Sequence, residues 1–245
     1  MNICIIGSGN VGSHLANGFS RAGVDTHLIN SRTLTEVPNE CDIYIITVKD
    51  VAIKEVAESV IKLIDEGKTV VHTSGSVGIE VLQQAAEKIG KNIKCGVMYP
   101  MQTFSVGADM EYDEIPFLIE GDDNNTESQI IRLAKCLSCN VLLADSAKRG
   151  EYHLAAVMAC NFSVYLCNLA EEYLNNKGGD FKLLLPLMRQ TVEKLGVLSP
   201  SEALTGPARR GDVEVIKNHL DKLSDNPEAK EVYDLITKNI IKRYE

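Results

Sequence analysis

Along the first 146 residues, short apolar runs alternate with stretches whose apolar positions recur every three to four residues. Nearly continuous apolar runs of this length are typical of strands buried on both faces of a sheet, and the recurring pattern is typical of amphipathic helices. We predict strands at Asn2–Ile6, Thr26–Ile29, Asp42–Val48, Thr69–His72, Lys94–Met98, Pro116–Glu120 and Asn140–Leu143. We predict helices between them at about Val11–Ala22, Val51–Ile64, Ile79–Ile89 and Glu127–Leu137.

The strand pattern stops after Ser146, and the rest of the chain predicts helices only. Ser199-Pro-Ser-Glu202 predicts a capping box with proline at the first helical position. The predicted helices span Glu151–Leu174, Phe181–Leu195, about Asp212–Leu223, and the segment that follows Pro227. We therefore expect an α/β class protein: a Rossmann domain with a doubly wound parallel sheet at residues 1–146, followed by an all-α domain at residues 147–245.

A glycine-rich turn joins the first strand to the first helix. Its residues are Gly7, Ser8, Gly9, Asn10, Val11 and Gly12. In a G-x-G-x-x-G turn the first glycine allows a tight bend, the second lets the backbone approach a pyrophosphate, and the third lets helix pack on strand. The helix start adds free N–H groups and a partial positive charge. This segment therefore predicts a dinucleotide site.

The residues after the second strand indicate which dinucleotide. An NAD site places Asp or Glu there to hold the ribose hydroxyls. This chain instead has Asn30, Ser31 and Arg32. A hydroxyl and a guanidinium suit a 2′-phosphate, which a carboxylate would repel. We therefore expect Ser31 and Arg32 to bind NADP(H); the alternative is a polar turn after an edge strand.

Composition narrows the class of protein further. The formal net charge of −9 argues against binding to nucleic acid or to an anionic membrane surface. No apolar run looks long enough to span a membrane, and Met1 leads directly into the first strand, so we expect a cytoplasmic protein without a leader.

The seven cysteines are an odd number at irregular positions, as expected of reduced thiols. Cys136 and Cys139 form a lone C-x-x-C pair, and no second pair completes a zinc site. His153, Cys160 and Cys167 recur every seven residues, but neighbours in this series lie about 10 Å apart along a helix. We expect these three residues to be core, and we expect no metal site.

Five segments together carry a family resemblance. They are Gly7–Gly12, His72–Gly75, Tyr99–Ser105, Tyr152–His153 with Asn161, and Thr205–Asp212. In these segments the chain resembles the 6-phosphogluconate dehydrogenase-like superfamily, and within it the deazaflavin-dependent NADP oxidoreductases and the pyrroline-carboxylate reductases. Over nearly its full length it is most similar to a bacterial group of Rossmann-like proteins with a helical C-terminal domain of unassigned function. The resemblance implies a small-molecule substrate and a homodimer.

Ligands of a doubly wound sheet bind outside the carboxyl ends of its strands. Thr47 and Val48 end one strand and are expected to flank the cofactor, while Ser74 follows the next strand, where small residues permit close approach to the ribose. In the hydroxyacid and prephenate dehydrogenases that resemble this chain, the loop after the following strand faces the substrate. The resemblance therefore implies substrate-binding roles for Gln102, Thr103 and Ser105. The alternative is a turn rich in cap-forming residues.

The helical half is expected to supply the proton chemistry. His153 is the titratable group placed to act as general acid, and Asn161, about 80° around the same predicted helix, is expected to orient the substrate. The alternative for His153 is a satisfied residue packed against the sheet. The chain departs here from the hydroxyacid dehydrogenases, which carry a lysine followed four residues later by asparagine. Their lysine mechanism therefore does not transfer.

A compact loop at Thr205–Asp212 carries two adjacent arginines. Ten N–H donors without an acceptor suit a carboxylate or phosphate, and we expect Arg209 to bind an anionic substrate. The alternative is structural, with Asp212 capping its helix while one arginine pairs internally.

These observations predict an NADPH-dependent oxidoreductase for a small, anionic carbonyl, imine or hydroxy compound. A second hypothesis is a non-catalytic NADPH sensor or scaffold. A third, weaker one is hydride exchange with a flavin or deazaflavin.

Overall fold

The computed structural model describes residues 1–105, 107 and 110–244. By its internal contacts the chain divides into two compact units, one spanning Met1–Met158 and the other beginning at Ala159. The first unit holds the sheet, and the described part of the second unit is helical.

The first unit is built on a seven-stranded sheet with the order β2-β1-β3-β4-β5-β6-β7. The strands are β1 (Asn2–Ile6), β2 (Asp25–Ile29), β3 (Ile43–Ile46), β4 (Thr69–His72), β5 (Lys94–Pro100), β6 (Phe117–Gly121) and β7 (Val141–Leu143). Neighbouring strands pair in parallel, except that β6 runs antiparallel to β5. The doubly wound α/β fold is therefore confirmed, with one antiparallel pairing that the hydrophobic pattern did not reveal.

Helices cover both faces of this sheet. They are α1 (Asn10–Arg21), α2 (Ile53–Leu63), α3 (Glu80–Ile89) and α4 (Asn124–Ala134). Alternate residues of a strand point to opposite faces. Cys4 and Ile6 accordingly join the buried cluster under α2 and α3, while Ile3 and Ile5 join the cluster under α1 and α4. The connections from β1 and β3 therefore leave on opposite faces, which opens a crevice at the carboxyl ends of these two strands.

The helix predicted from Glu151 begins earlier, as α5 (Ser146–Ala156). It begins there because the Asp145 carboxylate accepts a hydrogen bond from the amide of Lys148, 2.7 Å away, and so caps the first turn. A π-helical turn, Val157–Asn161, follows, and then α6 (Phe162–Asn175).

The other helices of the second unit are α7 (Leu185–Leu195), α8 (Pro200–Ala203), α9 (Pro207–Arg210), α10 (Val213–Lys222) and α11 (Pro227–Tyr244). The predicted capping box is present at the start of α8. The Ser199 hydroxyl accepts from the Glu202 amide, and the Glu202 carboxylate accepts from the Ser199 amide. The all-helical prediction for this part of the chain is confirmed over its described residues.

Two sequence expectations about the region after Ser146 are wrong. The helical stretch Ser146–Asn175 is long and apolar enough to cross a membrane, with a mean hydropathy of 1.4 over 18 residues, of which 6% are buried. Helices of soluble proteins meet the same criterion of length and composition. Cys160, expected in the core, is exposed, and Cys167 is half-buried.

Candidate functional site

Two glycines allow β1, α1 and β3 to meet at one point. Gly7 has a φ of +121°, and a Cβ on Gly12 would lie 1.8 Å from the Gly7 carbonyl oxygen. The Thr47 hydroxyl, at the end of β3, donates to the carbonyl oxygens of Ile6 (3.2 Å) and Gly7 (2.8 Å). Thr47 was predicted to flank the cofactor; it is 8% exposed and holds the turn.

Gly9 has a different environment from the other two glycines. No atom lies within 4 Å of the position that a Cβ on Gly9 would take, and Ser8, Gly9 and Asn10 are exposed. The start of α1 has neither a side-chain cap nor an acidic residue in its first turn. Its N–H groups therefore face an open cradle that fits the pyrophosphate of a dinucleotide.

The segment after β2 lies beside this cradle. The Gly7 amide donates to the carbonyl oxygen of Ile29, 2.8 Å away, which joins the glycine turn to the end of β2. Asn30 then caps a short 3₁₀ helix, Ser31–Thr33, by accepting a 3.0 Å hydrogen bond from the Arg32 amide. Arg32 is exposed and makes no ion pair with any residue that the structure describes. These residues fit a 2′-phosphate.

The loop after β5 is held against the start of α1. The side-chain nitrogen Nδ2 of Asn10 donates to the Phe104 carbonyl oxygen (3.1 Å). The His14 ring nitrogen Nε2 lies 2.7 Å from the Ser105 carbonyl oxygen. The structure thus brings the predicted substrate loop to the predicted cofactor turn. The side chains of Gln102, Thr103 and Ser105 are exposed, and the Gln102 side chain accepts from the Thr103 amide.

The loop after β4 is stabilised by its own side chains. Ser74 is 8% exposed, and its hydroxyl accepts from the amides of Ser76 (3.1 Å) and Val77 (3.0 Å). Val48, at the end of β3, is half-buried against the neighbouring apolar cluster. The Ser74 side chain therefore shapes the loop, and the backbone of this segment forms the surface on which a ligand would lie.

His153 lies directly over this loop. A Cβ added to Gly75 would be 2.6 Å from Nδ1 of His153, so glycine is required where the imidazole rests. The Tyr99 hydroxyl, near the end of β5, is 3.1 Å from the same Nδ1. Three elements of the first unit therefore place the half-buried imidazole at the carboxyl edge of the sheet.

A buried arginine holds α5 in this position. Arg149 is fully buried; its guanidinium donates to the Glu120 carboxylate at the end of β6 and to the Val77 carbonyl oxygen, 2.6 Å away. Glu120 also accepts from the Ser146 hydroxyl at 2.7 Å. Because Arg149 precedes His153 by about one helical turn, this anchor also sets the position of the imidazole.

Burial determines the charge states around the site. It lowers the pKa of His72 to about 4, and the ring accepts from the Ser74 amide through Nδ1 while Nε2 faces the Gly78 carbonyl oxygen. His72 is therefore a neutral structural residue at neutral pH. Burial raises the pKa of Cys4 and Cys95 to about 12, which leaves these two thiols inert. No group of three metal-ligating side chains occurs among the described residues.

The predicted residues of the second unit have partners of their own. Asn161 is exposed at the end of the π-helical turn. The Arg209 guanidinium stacks 4.1 Å from the centre of the Tyr244 ring. Arg210 pairs with Asp212, so the internal arginine pair of the structural alternative is confirmed. Asp212 makes no side-chain cap on α10, so the capping in that alternative is wrong. Asp212 accepts from the guanidinium instead, because a charged donor is the stronger partner.

Sequence reasoning missed Tyr99 and Arg149 as site residues. Tyr99 stood only within the segment Tyr99–Ser105, and no pattern linked it to His153, which lies 54 positions away. The sequence held one indication of a role for Arg149, because its four-residue spacing from His153 places both residues on one face of a helix. Its partner Glu120 ends a buried strand, where a carboxylate needs a cation.

The fold and the glycine turn define a Rossmann-fold protein with a helical second unit. The family described as a domain of unknown function, DUF2520, matches residues 115–240, and the chain belongs to it. The chain is 34% identical to BF3122 of Bacteroides fragilis, which is provisionally named an NADP oxidoreductase. The two structures match with a TM-score of 0.91 over 99% of this chain and 98% of that one.

More distant structures share the fold. A reductive aminase from Aspergillus terreus, in complex with NADPH and ethyl-5-oxohexanoate, is 14% identical with a TM-score of 0.73 over 99% of this chain and 94% of that one. An imine reductase from Myxococcus stipitatus, in complex with NADP⁺, is 15% identical with a TM-score of 0.60 over 100% and 99%. The predicted resemblance to Rossmann oxidoreductases is confirmed. No curated protein matches the sequence.

Substituting alanine at two glycines of the turn separates binding from folding. Gly9→Ala adds a methyl group in open space at an ordinary φ of −76°, so we expect unchanged thermal unfolding and NADPH binding at least about tenfold weaker. Gly12→Ala forces a methyl group onto the Gly7 carbonyl and should cost about 3 kcal/mol of stability. Thermal melts and NADPH fluorescence titrations measure both effects. Unchanged NADPH affinity in Gly9→Ala would contradict the cradle assignment.

Proposed function

We propose that this protein is an NADP(H)-dependent oxidoreductase acting on a small carbonyl, imine or hydroxy compound. The observation that carries the proposal is the His153 imidazole seated over Gly75, on the same sheet edge as the open glycine cradle. The provisional name of BF3122 and the NADP(H)-bound neighbours support the same class of reaction. A titratable ring at that place suits proton transfer beside a dinucleotide.

NADP(H) is the cofactor that these residues fit. Gly9 and the first amides of α1 would hold the pyrophosphate, and Ser31 and Arg32 would hold the 2′-phosphate, with Asn30 fixing their backbone. Gly7 and Gly12 shape the turn around them. When bound, the cofactor supplies or accepts the hydride. We assign this binding role to residues 1–146.

His153 is the proposed general acid. A carbonyl or imine that accepts a hydride at carbon also needs a proton at its oxygen or nitrogen. The half-buried imidazole has one nitrogen beside Tyr99, and its other nitrogen has no hydrogen-bond partner among the described residues. That second nitrogen, Nε2, would give the proton in reduction and take it back in oxidation.

The substrate is proposed to be small and anionic. In the first unit, Gln102, Thr103 and Ser105 offer hydroxyl and amide groups on the loop that joins the start of α1. Within the predicted helical domain, residues 147–245, the Arg209 guanidinium stacks on the Tyr244 ring and Asn161 is exposed. We propose that Gln102, Thr103 and Ser105 orient the substrate, and that Arg209 and Asn161 are the groups of the second unit suited to its negative charge and its polar atoms.

Turnover tests the proposed function directly. Purified protein with NADPH is offered 2-oxo acids, cyclic imine carboxylates, ethyl 5-oxohexanoate, and cyclohexanone with allylamine. We expect at least one compound to oxidise NADPH. His153→Gln should then lower kcat by about 10²–10⁴-fold with little change in NADPH affinity. His27→Gln, a histidine on edge strand β2, is the control and should retain activity. Full activity in His153→Gln would remove it from the mechanism, and a silent panel would favour the sensor hypothesis.

We also propose that the protein is a cytoplasmic homodimer. The α6 helix carries large apolar side chains that remain exposed on one of its faces: Phe162 56%, Tyr165 41% and Leu166 40%, at three- and four-residue spacing. A second copy that covers this face would remove it from water, because contiguous apolar patches mark interaction surfaces. Sedimentation equilibrium should give twice the chain mass of 26.8 kDa. A mass of one chain, or sedimentation with lipid vesicles, would contradict the dimer.

A further inference from the structure

Tyr99 touches the proposed acid from the sheet side. Its hydroxyl is 3.1 Å from Nδ1 of His153, and the two rings meet edge to face with centres 5.7 Å apart and an interplanar angle of 82°. Gly75 limits the imidazole on another side, since even a methyl group there would lie within 2.9 Å of Nδ1, Cγ and Cβ of His153. The ring is therefore confined by a strand, a loop and its own helix.

A phenol can serve His153 in both of its protonation states. A hydroxyl both donates and accepts, so it accepts from Nδ1–H when the ring is an imidazolium and can donate to Nδ1 when that atom carries a lone pair. The hydrogen bond therefore need not break when the ring gains or loses a proton. With Nδ1 occupied in this way, the exchangeable proton is the one on Nε2.

We propose that Tyr99 is a positioning residue that holds Nδ1 of His153 and thereby makes Nε2 the atom that exchanges a proton with the substrate. This inference rests on the proposed function of His153. In the reducing direction, the Nε2–H bond of the imidazolium breaks and a new bond forms between that proton and the substrate oxygen or nitrogen. The electron pair of the broken bond stays on Nε2, and the neutral ring keeps Nδ1–H donated to the Tyr99 oxygen.

The buried ion pair of Arg149 limits how His153 can move relative to Tyr99. Arg149 fixes α5 to β6 and to the carbonyl of Val77, so the helix cannot rotate His153 away from Tyr99 without breaking a buried ion pair. Breaking such a pair is strongly unfavourable because it leaves a charge buried alone. The main freedom left to the imidazole is rotation about its own side-chain bonds, and the Tyr99 hydroxyl restricts that rotation.

The test compares Tyr99→Phe with Tyr152→Phe. Tyr99→Phe removes the hydroxyl and keeps the ring contact, while Tyr152 is an exposed tyrosine next to His153 on the same helix. In ¹⁵N NMR of the histidine rings, with His153 assigned through His153→Gln, the Nδ1 resonance should leave its hydrogen-bonded position in Tyr99→Phe. The Nδ1 resonance of His153 should stay unchanged in Tyr152→Phe. An unmoved Nδ1 resonance in Tyr99→Phe would overturn the proposal.

A double-mutant cycle separates positioning from general damage. With a panel compound that oxidises NADPH, Tyr99→Phe should lower kcat about tenfold in the native background and not at all in His153→Gln. An equal loss in both backgrounds would show that Tyr99 acts independently of His153 and would overturn the proposal. If the Nδ1 resonance moves while no compound oxidises NADPH, the Tyr99–His153 contact stands and the oxidoreductase function fails.

Discussion

The close approach of Gly12 to the carbonyl of Gly7 is the contact on which the site depends. It brings the first turn of α1 against the end of β1, and the Thr47 hydroxyl ties the same carbonyl to β3. The amides of α1 then point past the carboxyl edge of the sheet, where Gly9 leaves open space. With α1 in this position, Asn10 and His14 can hold the backbone of the loop after β5.

The second constraint on the site is a buried ion pair near strand β6. The buried pair of Arg149 and Glu120 joins α5 to β6, and the same guanidinium binds the loop after β4 through Val77. A charge is costly to bury without a partner, so these three segments keep one arrangement. Local glycine geometry thus builds the proposed cofactor side of the site, and a buried ion pair builds the proposed catalytic side.

Prediction from sequence succeeded where the signal was local. The strands, the glycine turn and the Ser199 capping box each depend on residues a few positions apart, and the structure has them. Tyr99 and His153 are 54 positions apart, and Glu120 and Arg149 are 29 positions apart. The periodicity of apolar residues does not predict contacts over such separations. Asp212 had two local partners, and hydrogen-bonding strength, not the capping pattern, decided between them.

The exposed apolar helix shows a different limit of sequence reasoning. The sequence predicted Cys160 in the core, yet Cys160 is exposed and the neighbouring Phe162 is 56% exposed in a single chain. An apolar helix face indicates an interaction surface, but its composition does not identify the partner that covers it. The proposed homodimer would supply that cover.

Binding of NADP(H) at the carboxyl edge of the first unit can be tested with a pair of dissociation constants. Fluorescence titration measures NADPH and NADH binding to the native protein, to Arg32→Ala, and to Arg132→Ala, whose charge lies in a separate polar cleft with Lys68 and Lys94. A charge-assisted contact to the 2′-phosphate predicts binding of NADPH about ten- to a hundredfold tighter than NADH, lost in Arg32→Ala and retained in Arg132→Ala. Equal affinity for both nucleotides in the native protein, or binding of neither, would contradict this cofactor assignment.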